Sequence, residues 1–335
     1  MNRIKLFFYV LFFGLLSSCE SQVEPINGVS LVANGNPIDT THVKPVVAVN
    51  ANYAALMPFG FTRSKDNPDL RFNTSRQWFG ERRDGIKQYA EVLREQGIKL
   101  MIKPQIWISY GEFTGYMKMN SEEDWKTFEN SYSDFILLYA KLAQEINAEI
   151  LCIGTELENF ISNRPEYWSN LIKEIKTIYK GKLTYAANWD EYKRTPFWGQ
   201  LDYIGIDAYF PVSGSQTPTI EECLEGWKKH KPVIKSFSDK YNKPILFTEY
   251  GYRSVDYTGK EPWRFDRSMT QVNLQAQVNA TKALYQTFWN EEWFAGGFIW
   301  KWFVNDDRVG GDKNNQFTPQ NKPVESIIKN QYGSK

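Results

Sequence analysis

Apolar and polar positions follow two different patterns along the chain from residue 28 onwards. Short runs such as 150–153 and 245–247 are continuously apolar, which is typical of strands covered on both faces of a parallel sheet. Longer stretches such as 81–96 and 121–146 carry apolar residues three and four positions apart, which predicts amphipathic helices. The alternation of the two patterns predicts an α/β fold with a parallel sheet.

Eight strands follow from this pattern, and each is followed by a helix or a long loop. The predicted strands are residues 28–33, 51–61, 98–108, 149–155, 182–187, 203–208, 244–252 and 294–302. The predicted helices are residues 42–49, 81–96, 121–146, 165–179, 220–241 with a break at Pro232, 270–289 and 323–330. This is the pattern of a single-domain (β/α)8 TIM barrel over residues 28–335. A doubly wound open sheet is the alternative, but no Gly-rich phosphate loop follows the first strand.

Two of the apolar runs end at a glutamate. Glu156 follows the fourth strand, and Glu249 lies at the end of the seventh. In a (β/α)8 barrel the carboxyl ends of the strands line the active site, so barrel closure would bring these two carboxyls together. A single strand-end glutamate is equally typical of a surface ion pair. The repeated arrangement favours a catalytic pair, and Glu158, on the loop expected after strand four, is the alternative acid.

The remaining strand-end side chains are amides, phenols, indoles and charged groups. They are Lys103, Gln105 and Trp107 after strand three, Asn188 and Trp189 after strand five, Asp207 and Tyr209 after strand six, and Trp300 after strand eight. These groups suit a neutral polyhydroxylated substrate, because indoles stack on sugar faces and amides bond to hydroxyl groups. Aromatic residues also fill cores, and we expect Trp125, Trp198 and Trp302 to do so. Trp300 shares the alternation phase of Phe298 and is expected to face the pocket.

Composition and charge argue against several other functions. The 335 residues carry a formal net charge of +1 without a block of like charge, so no nucleic-acid surface is expected. The two histidines, His42 and His230, lack a metal-ligand spacing, which argues against a zinc site or a His-based triad. Cys152 lies in a predicted strand and Cys223 in a predicted helix, so both are expected to be buried thiols rather than a disulfide. We expect a monomer without a cofactor or a metal.

The N-terminus has the pattern of a targeting segment rather than of a folded element. Positive charge precedes an apolar stretch, residues 6–16, that is too short to span a bilayer. The tetrapeptide LSSC at residues 16–19 resembles the lipobox of bacterial lipoproteins, in which the Cys, here Cys19, is lipidated and becomes the mature N-terminus. Residues 1–18 are therefore predicted to be a signal peptide and residues 19–27 a tether. This predicts a lipid-anchored lipoprotein of the cell envelope, on the periplasmic face or the cell surface. An ordinary secretory signal with an incidental Cys is the alternative.

Four stretches at the strand ends together resemble glycoside hydrolase family 113. They are ALMPFG at 55–60, KPQIW at 103–107, GTELE at 154–158 and FIWKW at 298–302. The family belongs to clan A of the glycosidases, and its characterised members are β-1,4-mannanases. The resemblance covers roughly residues 28–330. It implies an eight-stranded barrel with an acid/base Glu after strand four and a nucleophilic Glu after strand seven, which are Glu156 and Glu249 in this chain.

The resemblance also implies a mechanism and a substrate. A retaining double displacement, with carboxyls about 5–5.5 Å apart, would cleave β-1,4-linked mannosyl units of mannan or manno-oligosaccharides. Glu249 would attack the anomeric carbon while Tyr209 holds its other oxygen, and Glu156 would protonate the leaving group. Most of the clan has Asn directly before the acid/base, contacting the sugar 2-hydroxyl, whereas this chain has Thr155. The alternatives are a β-glucan or other β-glycan hydrolase of the same clan and a non-catalytic carbohydrate-binding surface lipoprotein. The presence of both carboxylates argues against the last.

Overall fold

The computed structural model of the protein describes residues 24–264 and 268–334. Within these residues, eight parallel strands form a closed barrel in which each strand pairs with its neighbours in sequence order. They are β1 (Ile26–Val32), β2 (Tyr53–Leu56), β3 (Lys99–Ile102), β4 (Ile150–Thr155), β5 (Lys182–Asn188), β6 (Ile204–Asp207), β7 (Ile245–Tyr250) and β8 (Phe294–Phe303). This arrangement confirms the predicted single-domain (β/α)8 TIM barrel.

The α-helices pack outside the barrel strands. In the described part of the chain they are α1 (Thr40–Ala48), α2 (Arg83–Glu95), α3 (Glu122–Glu145), α4 (Glu158–Asn163), α5 (Pro165–Ile178), α6 (Ile220–Lys228), α7 (Lys231–Tyr241), α8 (Leu274–Phe288) and α9 (Pro323–Gly333). Ser121 caps α3 by accepting a hydrogen bond from the N–H of Asp124. The stretch predicted as one broken helix over 220–241 is two helices, because Pro232 has no N–H to donate and fits the first turn of α7.

Alternation along the strands divides the apolar side chains into two layers. One layer fills the barrel interior and consists of Ile26, Ala55, Met101, Ile150, Cys152, Ala186, Leu246 and Phe298. The other lies between the strands and the helices and contains most of the buried aromatic side chains. Trp125, Trp198 and Trp302 belong to this outer layer, which confirms that they serve the core. Cys152 and Cys223 are buried free thiols, also as predicted.

The second and third predicted strands are each interrupted by a proline. Instead of single strands over 51–61 and 98–108, the barrel strands end before Pro58 and Pro104. Proline cannot donate to a strand ladder, so barrel pairing does not continue through these positions. The chain resumes in a small separate sheet made of Phe59–Thr62, Arg71–Phe72 and Gln105–Ile108. This sheet carries Gln105 beyond the end of β3.

β1 begins at Ile26, two residues before the predicted start of the domain. The side chain of Asn27 donates to the carbonyl of Tyr332 at 3.3 Å and accepts from Nε1 of Trp289 at 2.8 Å. These buried hydrogen bonds hold the start of β1 against α9 and the end of α8. Residues 26 and 27, which are predicted from the sequence to be part of the tether, therefore belong to the barrel.

The predicted signal peptide, residues 1–18, and the predicted lipidation site, Cys19, lie outside the described residues. In the part of the chain that the structure describes, no helix combines the length and the apolarity needed to cross a membrane. Lipid anchoring at Cys19 stays a prediction.

Candidate active site

The carboxyl ends of β4 to β7 lie side by side at one rim of the barrel. The strand registers align Asn188 with Asp207 and Asp207 with Glu249. At the end of β4, the N–H of Glu156 donates to the carbonyl of Ala186 in β5 at 2.8 Å. Closure of the barrel thereby brings Glu156 and Glu249 to the same rim.

Glu249 is held by three hydrogen-bond donors from two other parts of the barrel. Its Oε1 accepts from Nζ of Lys103 and, at 3.1 Å, from Nε2 of Gln105. Its Oε2 accepts from the hydroxyl of Tyr209 at 2.8 Å. The residue is only 6% exposed, so these contacts form away from bulk water. Both oxygens of the carboxylate are thus fixed in orientation, and charge-assisted bonds of this kind are among the strongest in proteins.

Lys103 and Asp207 lie beneath Glu249 rather than on the exposed surface of the cleft, because both side chains are fully buried. Nζ of Lys103 is 3.2 Å from Oδ1 of Asp207, which also accepts from Oγ1 of Thr248 at 2.7 Å. Burial lowers the pKa of Lys103, but the charges of Asp207 and Glu249 raise it to a net value above the ordinary one. Burial, followed by the charge of Glu249, raises the pKa of Asp207 to about 7. Both residues are predicted from the sequence to line the substrate pocket, whereas in the structure Lys103 is a partner of Glu249 and Asp207 is a partner of Lys103.

The backbone of Glu156 is in the left-handed region, with φ of 51°. For a residue with a Cβ this conformation costs roughly 1–2 kcal/mol. The pairing of β4 with β5 shifts between Cys152 and Thr155, just before this position. Thr155 itself has a buried hydroxyl without a hydrogen-bond partner among the described residues. The end of β4 is therefore irregular where it presents Glu156 to the rim.

The carboxyl of Glu156 has an environment unlike that of Glu249. The residue as a whole is half-buried at the rim, and within residues 24–264 and 268–334 its carboxyl makes no hydrogen bond. Burial, followed by the charges of Asp207 and Glu249, raises the pKa of Glu156 well above its ordinary value. This carboxyl therefore holds a proton at a pH where an ordinary glutamate is ionised. The two glutamates differ in the way that separates a general acid from an ionised partner.

Indole side chains follow two of the strand ends of the barrel. Trp107 follows Gln105 by two positions in the small sheet, and 53% of its surface is exposed. After β5, Trp189 stacks on Trp263 with ring centroids 5.1 Å apart and planes 18° apart. The side chain of Asn188 accepts from the N–H of Trp189 at 2.7 Å, which orients the start of that loop. Exposed indole faces at these positions are suited to stacking on sugar rings.

Trp300 lies near the end of β8 and is partly exposed. Nζ of Lys301 lies 5.4 Å from the centroid of its ring. Burial lowers the pKa of Lys301, and the charge of Glu249 opposes this shift. The charge of Glu249 therefore affects the pKa of Lys301, the residue next to Trp300. Trp302, two positions further along, is fully buried in the outer layer.

Glu158 lies in the first turn of α4, not in a loop as the sequence pattern indicates. Its carboxylate forms an ion pair with Arg194, in the chain that follows β5. A short helix begins here because the chain turns sharply at Glu156 and the next apolar residues, Phe160 and Ile161, pack into the core. Glu158 thus has a structural partner of its own.

Three residues near Glu156 were not identified from the sequence. Thr114 donates to the carbonyl of Glu156 at 3.1 Å, and the hydroxyl of Tyr185 accepts from the N–H of Leu157 at 2.6 Å. The hydroxyl of Tyr185 in turn donates to Glu191 at 2.6 Å. The sequence pattern places Tyr185 in a strand but contains no signal for its polar partners.

Two glutamates at one barrel rim, one fixed by donors and the other with a raised pKa, define a glycosidase of the two-carboxylate class. Among the described residues, no group of three or more His, Cys, Asp or Glu side chains is arranged to hold a metal ion. Residues 37–322 match the sequence model of Glycoside Hydrolase Family 113. The chain belongs to this family and is a glycoside hydrolase.

Solved structures of similar fold include members of the same family. The family 113 β-mannanase from Alicyclobacillus acidocaldarius has 22% identity and a TM-score of 0.80, over 92% of this chain and 97% of that one. Another family 113 β-1,4-mannanase has 20% identity and a TM-score of 0.81, over 93% and 100%. A β-glucuronidase from Faecalibacterium prausnitzii is more distant, with 14% identity and a TM-score of 0.57 over 92% and 48%. No curated protein matches the chain. At these identities the likenesses establish the barrel fold.

Proposed function

We propose that this glycoside hydrolase retains anomeric configuration and cleaves β-1,4-mannosidic linkages in mannan or manno-oligosaccharides. Membership of the family and the fold shared with β-1,4-mannanases support the choice of sugar. The observation that carries the mechanism is the unlike environment of the two glutamates. Glu249 is held by three donors, whereas the carboxyl of Glu156 has a raised pKa and makes no hydrogen bond among the described residues. This contrast supports Glu249 as the nucleophile and Glu156 as the general acid and base.

In the first step, Glu249 attacks the anomeric carbon while the glycosidic oxygen leaves with the proton of Glu156. Lys103, Gln105 and Tyr209 hold the attacking carboxylate in place, so little reorganisation is needed during the reaction. Protonation matters most for a poor leaving group such as a sugar hydroxyl. The product of this step is a glycosyl ester of Glu249.

In the second step, Glu156 accepts a proton from a water molecule that attacks the anomeric carbon and displaces Glu249. The ester of Glu249 carries no charge, so one of the charges that raise the pKa of Glu156 is absent at this stage. Glu156 therefore remains ionised more readily and can serve as the base. Two successive inversions leave the sugar with its original β configuration.

Azide separates the two proposed roles. In Glu156→Ala, azide is expected to attack the covalent intermediate and give a β-glycosyl azide, because the nucleophile is intact. In Glu249→Ala, hydrolysis is expected to fall by several orders of magnitude. Azide would then replace the nucleophile directly and give the α-azide. The same azide configuration from both variants would contradict the assignment.

Activity on linear mannan, glucomannan and cellulose, with product lengths recorded, tests the proposed sugar. Faster cleavage of manno-oligomers than of cello-oligomers is expected. Equal or faster cleavage of cello-oligomers would favour the β-glucan alternative and leave the mechanism standing. Binding of these glycans without hydrolysis would favour the carbohydrate-binding lipoprotein instead.

We also propose that Cys19 carries a lipid that anchors the protein in the cell envelope, on the periplasmic face or the cell surface. The motif LSSC at residues 16–19 and the short apolar stretch before it support this. Cys19→Ala should release the protein from membranes or block its processing. A mature-sized variant that still partitions with membranes would contradict the proposal.

A further inference from the structure

Three hydrogen bonds from two separate parts of the fold, β5 and the chain before α3, restrain the backbone around Glu156. The carbonyl of Ala186 accepts from the N–H of Glu156 at 2.8 Å. The hydroxyl of Thr114, in the loop region before α3, donates to the carbonyl of Glu156 at 3.1 Å. The N–H of Leu157 donates to the hydroxyl of Tyr185 at 2.6 Å. The peptide groups on both sides of the left-handed residue are therefore held in place.

Tyr185 is in turn fixed by buried contacts. Its hydroxyl donates to Oε1 of Glu191 at 2.6 Å, and Oε2 of Glu191 accepts from the N–H of Asn188 at 2.9 Å. Tyr185 and Glu191 are both fully buried. The ring of Tyr185 packs edge-on against Trp168 and Phe197. The hydroxyl therefore has one fixed position, from which it accepts from the peptide that follows Glu156.

We propose that Tyr185, backed by Glu191, and Thr114 are positioning residues that keep Glu156 in its left-handed conformation and so aim its carboxyl at the leaving-group oxygen. A residue with a Cβ occupies this region only when its surroundings hold it there. Loss of a restraint allows the turn to relax and displaces the carboxyl, and a displacement of about 1 Å costs roughly 100-fold in rate. The inference rests on the proposed role of Glu156 as general acid.

The test compares two substrates in the same protein sample. Tyr185→Phe removes the hydroxyl and keeps the packing of the ring. One substrate is a manno-oligosaccharide, whose leaving group needs protonation, and the other is 2,4-dinitrophenyl β-mannoside, whose leaving group needs little. We expect kcat/KM on the oligosaccharide to fall about 10-fold or more beyond any fall on the aryl mannoside. Misfolded protein lowers both rates equally, so the ratio of the two rates is independent of the folded fraction.

Two further variants make the result specific. Thr114→Val is close in shape and lies in a partly exposed position, so it tests the same idea with little risk to folding. It should change the ratio in the same direction. Tyr179→Phe is the matched control, because the hydroxyl of Tyr179 is buried and donates to the carbonyl of Ala148 at 2.7 Å, at the other end of β4. It removes the same kind of bond and should leave the ratio unchanged.

The outcomes distinguish this inference from the proposed function. If Glu156→Ala changes the ratio and Tyr185→Phe does not, the role of Tyr185 is overturned, and an unchanged ratio in Thr114→Val overturns that of Thr114. If Glu156→Ala itself leaves the ratio unchanged, the assignment of Glu156 as the acid fails instead. In the Glu156→Ala background, Tyr185→Phe should lower the rate on the aryl mannoside by no more than about 2-fold. A larger loss would mean that Tyr185 acts independently of Glu156.

Discussion

The buried ammonium of Lys103 compensates the negative charges of two carboxylates, Asp207 and Glu249. It is fully buried and contacts both Asp207, at 3.2 Å, and Glu249. Lys103→Met keeps a side chain of similar length but leaves the two carboxylates without their common cation. Removing one partner of a buried ion pair costs about 3–5 kcal/mol. We therefore expect the free energy of unfolding to fall by about that amount, and kcat/KM to fall because Glu249 loses one of its three donors.

Lys301→Met is the matched control. The charge of the same glutamate, Glu249, acts on the pKa of Lys301, but Lys301 forms no ion pair within the described residues, so its replacement leaves no buried carboxylate unpaired. We expect it to change stability by less than about 1 kcal/mol. The double variant Lys103→Met/Asp207→Asn should recover part of the loss, since it also removes one of the two uncompensated charges. Coupling between contacting groups is typically about 0.5–3 kcal/mol.

Urea denaturation measures these differences when the slope with denaturant is unchanged between variants. Activity is measured in the same samples on an aryl mannoside. A Lys103→Met variant whose stability lies within about 1 kcal/mol of the wild type, with unchanged kcat/KM, would refute the reasoning. It would mean that Asp207 and Glu249 do not depend on the buried cation.

Further expectations concern the indoles and the acid. Trp300→Ala should lose most of kcat/KM. Trp302→Ala should chiefly reduce the free energy of unfolding, by about 3–5 kcal/mol. The reverse pattern would contradict the expected position of Trp300 in the pocket. Glu158→Gln should leave kcat/KM within about 3-fold of the wild-type value, because the partly exposed ion pair of Glu158 with Arg194 contributes little to stability. A loss of kcat/KM as large as that of Glu156→Ala would identify Glu158 as the acid. Because the pKa of Glu156 is raised, kcat/KM on oligosaccharides should persist above the range of an ordinary glutamate and fall as pH rises through that raised pKa. An aryl mannoside should lack this alkaline fall, and its presence there would assign the ionisation elsewhere.

The barrel and the two glutamates were predictable because each leaves a local signal. A buried strand appears in the sequence as a continuous apolar run. A carboxylate at the end of such a run must be hydrated, form an ion pair or have a catalytic role. Glu156 and Glu249 share this signal at the ends of β4 and β7. Alternation does not distinguish Trp302 from Trp300, because the two residues share one phase. Trp302 lies in the outer layer, and the pairing of β1 with β8 shifts between Val29 and Leu31, next to it.

The burial of Lys103 and Asp207 was not predictable from their positions at strand ends. A lysine after a strand is normally exposed, and only the juxtaposition of β3, β6 and β7 places its ammonium under two carboxylates. The contacts of Tyr185 are equally non-local, because its hydroxyl meets the turn after β4 and the carboxyl of Glu191 only when the barrel is assembled. The interruptions at Pro58 and Pro104 were visible as prolines, but the apolar pattern on either side favoured uninterrupted strands.

The anomeric configuration of the first product tests the central claim most directly. Proton NMR of manno-oligosaccharide hydrolysis, recorded before mutarotation, shows which anomer is released first. The account predicts the β anomer, because Glu249 and Glu156 act by two successive inversions. Initial release of the α anomer would mean a single displacement by water, and it would contradict Glu249 as the nucleophile.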